Sequence, residues 1–182
     1  MARGDALATA FVERDLRALD AISAEVLVAT LHVDDRPIQG VGALWDFRAA
    51  GRLSRVLRAG FVRGEVFEQA MIPAGSALPV DKLIVVGLGP RASFDDAIAR
   101  AVTGRILATL AGLAVRRAIV ELPGRGSAMI TAPRAVEILA AALDEAERGR
   151  LESLAIVDER EAARAIDDLR LTPGRRSPAA RR

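Results

Sequence analysis

The sequence predicts an α/β protein, three layers deep (α/β/α), built on a largely parallel sheet. Three observations carry this. From Lys82 onward, apolar runs of strand length alternate with segments of helical periodicity, in the order strand, helix, strand, helix, strand, helix. That order implies right-handed crossovers and parallel neighbours covered on both faces. The run EVLVATLHV, Glu25 to Val33, is almost continuously apolar and rich in Val and Leu, the pattern of a strand buried on both sides. Finally, 51% of the 182 residues are hydrophobic, enough for one sizeable core.

The elements follow in order. LATAFVER, Leu7 to Arg14, reads as a first strand and DLRALDAI as one or two helical turns. Glu25 to Val33 is the second strand. A polar turn, DDRPIQG, leads into GALWDFRAAGRLSRVLRAG, whose apolar set is Leu44, Phe47, Leu53, Val56 and Leu57, with Gly51 interrupting the helix. Val66 to Ile72 is a strand of mixed pattern, closed by the PAGSALP turn. Lys82 to Val86 is the clearest strand. For the helix after it, Ser93 is the expected N-cap, with Asp96 three residues on as in a capping box, and Phe94, Ile98, Ala101, Val102 and Leu110 recur at helical spacing. Gly104 costs that helix roughly 1 kcal/mol relative to alanine and is expected to mark close packing on the sheet. Arg117 to Leu122 is a strand ended by PGRGS. Thr131 is placed to cap the following helix, with Pro133 in its first turn, Val136, Leu139, Ala140 and Leu143 inward and Gly149 as C-cap. Ser153 to Val157 is the last strand, and Glu159 to Leu169 the last helix, with Ala162, Ala163, Ile166 and Leu169 inward.

Composition removes several chemistries. There is no cysteine, so disulfides and thiolate metal sites are excluded. His32 is the only histidine and Lys82 the only lysine. The residues after Leu171 carry Arg175, Arg176, Arg181 and Arg182 and no acid; since the whole chain is +2, residues 1–171 stand near −2. Residues 1–171 are therefore read as one mildly acidic domain and residues 172–182 as a basic, disordered tail. No targeting segment or membrane-length apolar run is visible, and the expectation is a cytoplasmic protein with no membrane contact.

A hydrolytic triad needs a base beside a nucleophile, and a lone histidine at the end of a buried strand reads as structural. The pairs Asp34/Asp35, Asp95/Asp96 and Asp167/Asp168 are explained by turns and helix ends. No catalytic residue, metal site or cofactor is assigned. Two glycine turns remain as candidate phosphate loops: Gly40, Val41 and Gly42 ahead of one helix, and Gly87, Leu88 and Gly89 ahead of another, with Arg91 placed to pair with an anion. Ala92 stands where the third glycine of a dinucleotide fingerprint belongs, only Glu121 closes the strand near Val120, and no P-loop G-K-[ST] is present. Both turns are better explained by the sequence alone as tight strand-to-helix connections, with Trp45, Phe47 and Arg91 as the side chains expected to plug any cleft between them.

LIVVGLGPRASFDDAIARAVTGRILATLAGLAVRRAIVELPG resembles the N-terminal domain of the leucyl aminopeptidase (M17) family, as does the earlier stretch from Glu25 to Gln69. The resemblance implies a macro-domain-like fold, and adds that the largely parallel sheet is mixed. It also implies that the family's two-metal catalytic domain, with its NTDAEGR motif, is missing from these residues, so aminopeptidase activity is not expected of them. QGVGALWDFRAAG is similar to the ligand loop of macro domains at Gly40, Val41, Gly42, Ala49, Ala50 and Gly51, which implies ADP-ribose or a related nucleotide as the alternative ligand. ATLHVDD lacks the asparagine of hydrolysing macro domains, which argues against de-ADP-ribosylation. The reading is a non-catalytic, stand-alone interaction or scaffold module. Its partner is another protein or a second copy, with DNA reached only through the arginine tail.

Overall fold

A computed structural model describes residues 7–146 and 149–170, the side chains of 169 and 170 excepted. The basic tail and the boundary at residue 172 lie outside the described residues, as does the inward placement of Leu169. The elements are β1 (Ala8–Glu13), α1 (Leu16–Asp20), β2 (Ala24–His32), α2 (Gly40–Arg48), α3 (Arg52–Arg58), β3 (Gln69–Pro73), β4 (Val80–Gly89), α4 (Asp96–Gly112), β5 (Arg117–Val120), α5 (Ala132–Glu145), β6 (Ser153–Asp158) and α6 (Ala163–Arg170). Single 3-10 turns precede α4 and α6.

The six strands form one sheet in the order β1-β6-β5-β2-β4-β3, parallel except for β3 against β4. Because side chains alternate along a strand, Val26 and Val28 of β2 face one way and Leu27, Ala29 and Leu31 the other. The first set joins Ile84, Val86 and the inner faces of α4, α5 and α6 in one core. The second joins Leu83, Val85, Leu19 of α1, Trp45 of α2 and Leu53 of α3 in the other. The sheet is thus covered on both sides, as the uninterrupted apolar runs require.

Gly51 adopts φ +75° and separates α2 from α3, as expected. Four local expectations are corrected. The helix α4 is capped by Asp95, whose Oδ1 accepts the Ile98 N–H at 2.9 Å, while Ser93 lies in the preceding 3-10 turn and Asp96 pairs with Arg134. The helix starts two residues later than a Ser93 cap requires, because Ser93 ends the 3-10 turn and Asp95 is the N-cap. Thr131 occupies the N-cap position of α5 without a side-chain bond, and the helix ends at Glu145 rather than reaching Gly149. The third strand begins at Gln69, because the Glu68 carboxylate accepts the N–H groups of Arg63, Gly64 and Glu65 and folds residues 63–68 into a turn.

The fourth correction concerns Gly104. A Cβ there would meet nothing within 4 Å. It borders an open groove of about 640 Å³ between α4 and α5 instead of the sheet. Gly87 is the reverse case: a Cβ would stand 1.9 Å from the Glu65 carbonyl oxygen. Urea unfolding should separate them. Gly87→Ala is expected to lose roughly 1–3 kcal/mol through overpacking, and Gly104→Ala to gain roughly 1 kcal/mol of helix propensity.

Candidate functional site

The connections from adjacent strands β2 and β5 leave the sheet in opposite directions. From β2 the chain passes through α2 and α3 towards β3 and β4; from β5 it passes through α5 to β6. Such a reversal opens a crevice beyond the carboxyl ends of the two strands, the place where open α/β sheets receive ligands. His32 ends β2 here, Gly40 to Gly42 begin α2, Gly89 ends β4, and Glu121 to Ser127 follow β5.

The crevice is already filled by a carboxyl group, supplied by the chain itself. Glu121 is fully buried. Its Oε1 accepts the Val41 N–H at 2.7 Å, at the start of α2, and its Oε2 accepts the Thr30 hydroxyl at 3.2 Å. The Arg14 guanidinium stands 3.7 Å from Oε1. Gly40, at φ +62°, and Gly126 both face the carboxylate, which lies 2.1 and 2.7 Å from where their Cβ atoms would be. Glycine is needed at position 40 on both counts, the backbone angle and the close approach. Burial pushes the Glu121 carboxyl up to about 7, against the downward pull of the Val41 N–H, Arg14 and Thr30.

The second candidate loop is not a turn: Gly87, Leu88 and Gly89 are the last residues of β4, with Gly87 and Gly89 in register with Leu31 and His32 of β2 and Leu88 buried in the core, because the ladder to β2 carries the strand past the expected end at Val86. The Gly87 N–H donates to the Glu68 carbonyl at 2.8 Å and the Gly89 N–H to the Gly64 carbonyl at 2.8 Å, so residues 64–68 take up the donors a phosphate would need. Arg91 follows, with its N–H on Asp34 at 3.1 Å and its Nε on Asp35 at 2.9 Å. The Arg91 N–H holds the Asp34 carboxyl below its ordinary range. Of the three expected plugs, Trp45 is in the core beneath α2, Phe47 is 75% exposed, and Arg91 is bound to the two aspartates. The residue that fills the crevice is Glu121, which the sequence marked only as the acid closing its strand.

Two further constellations stand beside it. Arg125 and Asp158 form a buried bidentate pair, Nε to Oδ2 at 2.6 Å and Nη2 to Oδ1 at 2.7 Å. Nη1 of Arg125 also donates to the Ile130 carbonyl at 2.7 Å, pinning the loop between β5 and α5. His32, fully buried, lies between the Gly89 carbonyl, 3.0 Å from Nδ1, and Ser127 Oγ, 3.0 Å from Nε2. Since a carbonyl only accepts, Nδ1 carries a proton; in the neutral ring Nε2 then accepts from the Ser127 hydroxyl, whose other acceptor is the Gly124 carbonyl at 3.4 Å. Phe94 packs edge-on against the imidazole, with centroids 5.2 Å apart. Ser127 had no signal in the sequence beyond its place in PGRGS. Among the described residues no three His, Asp or Glu side chains gather as a metal site, and no helix is long and apolar enough to cross a membrane.

Residues 26–150 match the N-terminal domain of the cytosol aminopeptidase family. The chain belongs to that family. No curated protein sequence matches it. The fold of this M17 N-terminal domain is similar to that of a tomato leucine aminopeptidase mutant, with 14% identity and a TM-score of 0.61 over 93% of this chain. The chain spans only 36% of the tomato enzyme. It is also similar to a Trypanosoma brucei macrodomain solved with ADP-ribose, at 15% identity and a TM-score of 0.69, covering 90% of this chain and 69% of that one. A Mycobacterium tuberculosis DarG macrodomain aligns at 14% identity and a TM-score of 0.62 over 83% of this chain and 98% of its own. At such identities these likenesses establish the macro-like α/β fold.

Proposed function

We propose that this M17 N-terminal domain works as a non-catalytic interaction module, binding a protein surface or a second copy of itself. The observation that carries the reading is the exposure of Phe47 and Phe61, at 75% and 81%. Three of the five phenylalanines are exposed, Phe47 and Phe61 most of all and Phe67 at 45%, and exposed aromatics are the residues that anchor protein interfaces. The nucleotide-binding alternative, drawn from the macrodomain likeness, requires Glu121 to vacate the Val41 N–H, and no such displacement is needed by the interaction reading.

Sedimentation velocity over a concentration series tests this. The full chain is expected to self-associate reversibly, and Phe47→Ser with Phe61→Ser to weaken that association about tenfold or more, since a lost anchor costs over about 1 kcal/mol. A chain that stays monomeric throughout, or a double variant that associates like the parent, would overturn self-association. In parallel, titration calorimetry with ADP-ribose is expected to be silent; saturable heat would put the nucleotide reading in its place.

A further inference from the structure

We propose that Ser127 is an activated hydroxyl, with His32 as its base, that accepts an acyl group from an activated ester. This goes beyond the interaction reading and asks for a single covalent transfer, not turnover. Three observations converge on it. The first is the contact itself: the Ser127 hydroxyl donates to His32 Nε2 at 3.0 Å, the separation of a nucleophile from its base. The second is the third group of the chain, the Gly89 carbonyl at 3.0 Å from Nδ1, which fixes the tautomer that leaves Nε2 unprotonated. Edge contact with Phe94 holds the ring plane.

The third is the loop that carries the serine. It leaves the carboxyl end of a parallel strand and enters a helix, and it is built rigidly. Arg125 is tied to Asp158 and to the Ile130 carbonyl, and the Met129 N–H donates to the Gly124 carbonyl at 2.8 Å. Ala128, next to the serine, is held at φ +57°, a conformation that costs a non-glycine residue free energy and clusters at functional sites. Ser127 is half-buried, so one side of it faces outward while its hydroxyl is held against the base. Among the described residues the Gly126 N–H has no partner, which leaves a backbone donor beside the serine for developing negative charge.

The step balances without a co-reactant. Ser127 Oγ attacks the ester carbonyl carbon as its proton passes to His32 Nε2. The bond from that carbon to the leaving oxygen breaks, and the leaving oxygen takes the proton from Nε2. The products are Oγ-acyl-Ser127 and the free alcohol or phenol; nothing is oxidised or reduced. His32 is neutral again at the end.

The test uses the full chain with 4-nitrophenyl acetate. One equivalent of nitrophenol is expected in a burst, with the acetyl group located on Ser127 by peptide mass spectrometry and absent in Ser127→Ala. Acetylation of Ser127 is expected to outrun that of the exposed Ser93 in the same molecule by about 100-fold or more, the usual reach of general-base assistance, and His32→Gln to remove that advantage while circular dichroism stays unchanged. Should His32→Gln fail to fold, the ratio of Ser127 to Ser93 in the parent decides alone. A ratio within about threefold, far below that range, or a burst that survives Ser127→Ala, overturns the proposal. Either result leaves the sedimentation behaviour of the interaction reading untouched.

Discussion

Replacing Asp158 by alanine is expected to destabilise the protein by about 3–5 kcal/mol, the cost of stranding one member of a buried ion pair. Arg125 and Asp158 are 6% and 1% exposed, and they meet through two hydrogen bonds of 2.6 and 2.7 Å. Asp158 Oδ1 also accepts the Glu159 N–H at 2.7 Å, so the carboxylate is held by three bonds from within the protein. Its removal leaves a guanidinium under the β5–α5 loop with only the Ile130 carbonyl and a 3.3 Å contact to the exposed Glu161. The bond to Asp158 is the first cause holding the Arg125 guanidinium above its ordinary range. Urea denaturation of Asp158→Ala reads the loss directly. A change under about 1 kcal/mol, the worth of an exposed pair, would mean that water reaches the site. Asp158→Asn, which keeps an acceptor, should lie between the two.

The second large effect is a dependence on pH that runs opposite to that of most carboxylates. Glu121 is raised from 4.5 to about 7 in the folded chain. The folded state therefore holds this proton over a range where the unfolded state has released it. Between those values stability falls as pH rises, and above about 7 the penalty of burying the charge is complete. At 1.36 kcal/mol per unit the full swing is roughly 3 kcal/mol. Desolvation is its first cause, and the Val41 N–H, Arg14 and Thr30 recover only part of it. The neutral acid is well served here, because the Thr30 hydroxyl at 3.2 Å both donates and accepts. Subtracting the stability of Glu121→Gln from that of the parent at each pH isolates the group from all other titrating residues. The difference should fall by roughly 3 kcal/mol, to the parent's cost, between about pH 4 and about pH 8. Parallel profiles would show that Glu121 ionises as an ordinary carboxylate.

The sheet was legible because its evidence is local. Glu25 to Val33 and Lys82 to Val86 carry enough Val, Leu and Ile to be strands in any packed context, and the helices between β4 and β6 follow from 3.6-residue spacing. Gly51 announced the break between α2 and α3 because only a residue tolerating φ +75° fits there. The misplaced cap shows where such reading stops. Ser93 with Asp96 and Asp95 with Ile98 are both good capping arrangements, and the 3-10 turn over Arg91–Ser93 selects the second. That turn is tied in place by Asp34, 57 residues away along the chain.

The candidate site was half legible. Gly40, Val41 and Gly42 lie at the crevice, whereas Gly87, Leu88 and Gly89 extend β4, with only the Gly89 carbonyl meeting His32, and Arg91 is tied to Asp34 and Asp35. What they bind was hidden, since a glycine turn looks the same whether it opens on solvent, a ligand or another strand of the same chain. Periodicity, turn chemistry and composition alone determined the order of elements and the largely parallel sheet, while the family rested on the resemblance of two longer stretches. Only the tertiary structure decided that Glu121 fills the α2 N-terminus and that His32 meets Ser127, residues 91 positions from Thr30 and 95 positions from His32 respectively. Those meetings depend on the crossover that returns β5 beside β2, and no local free-energy preference encodes a partner that distant.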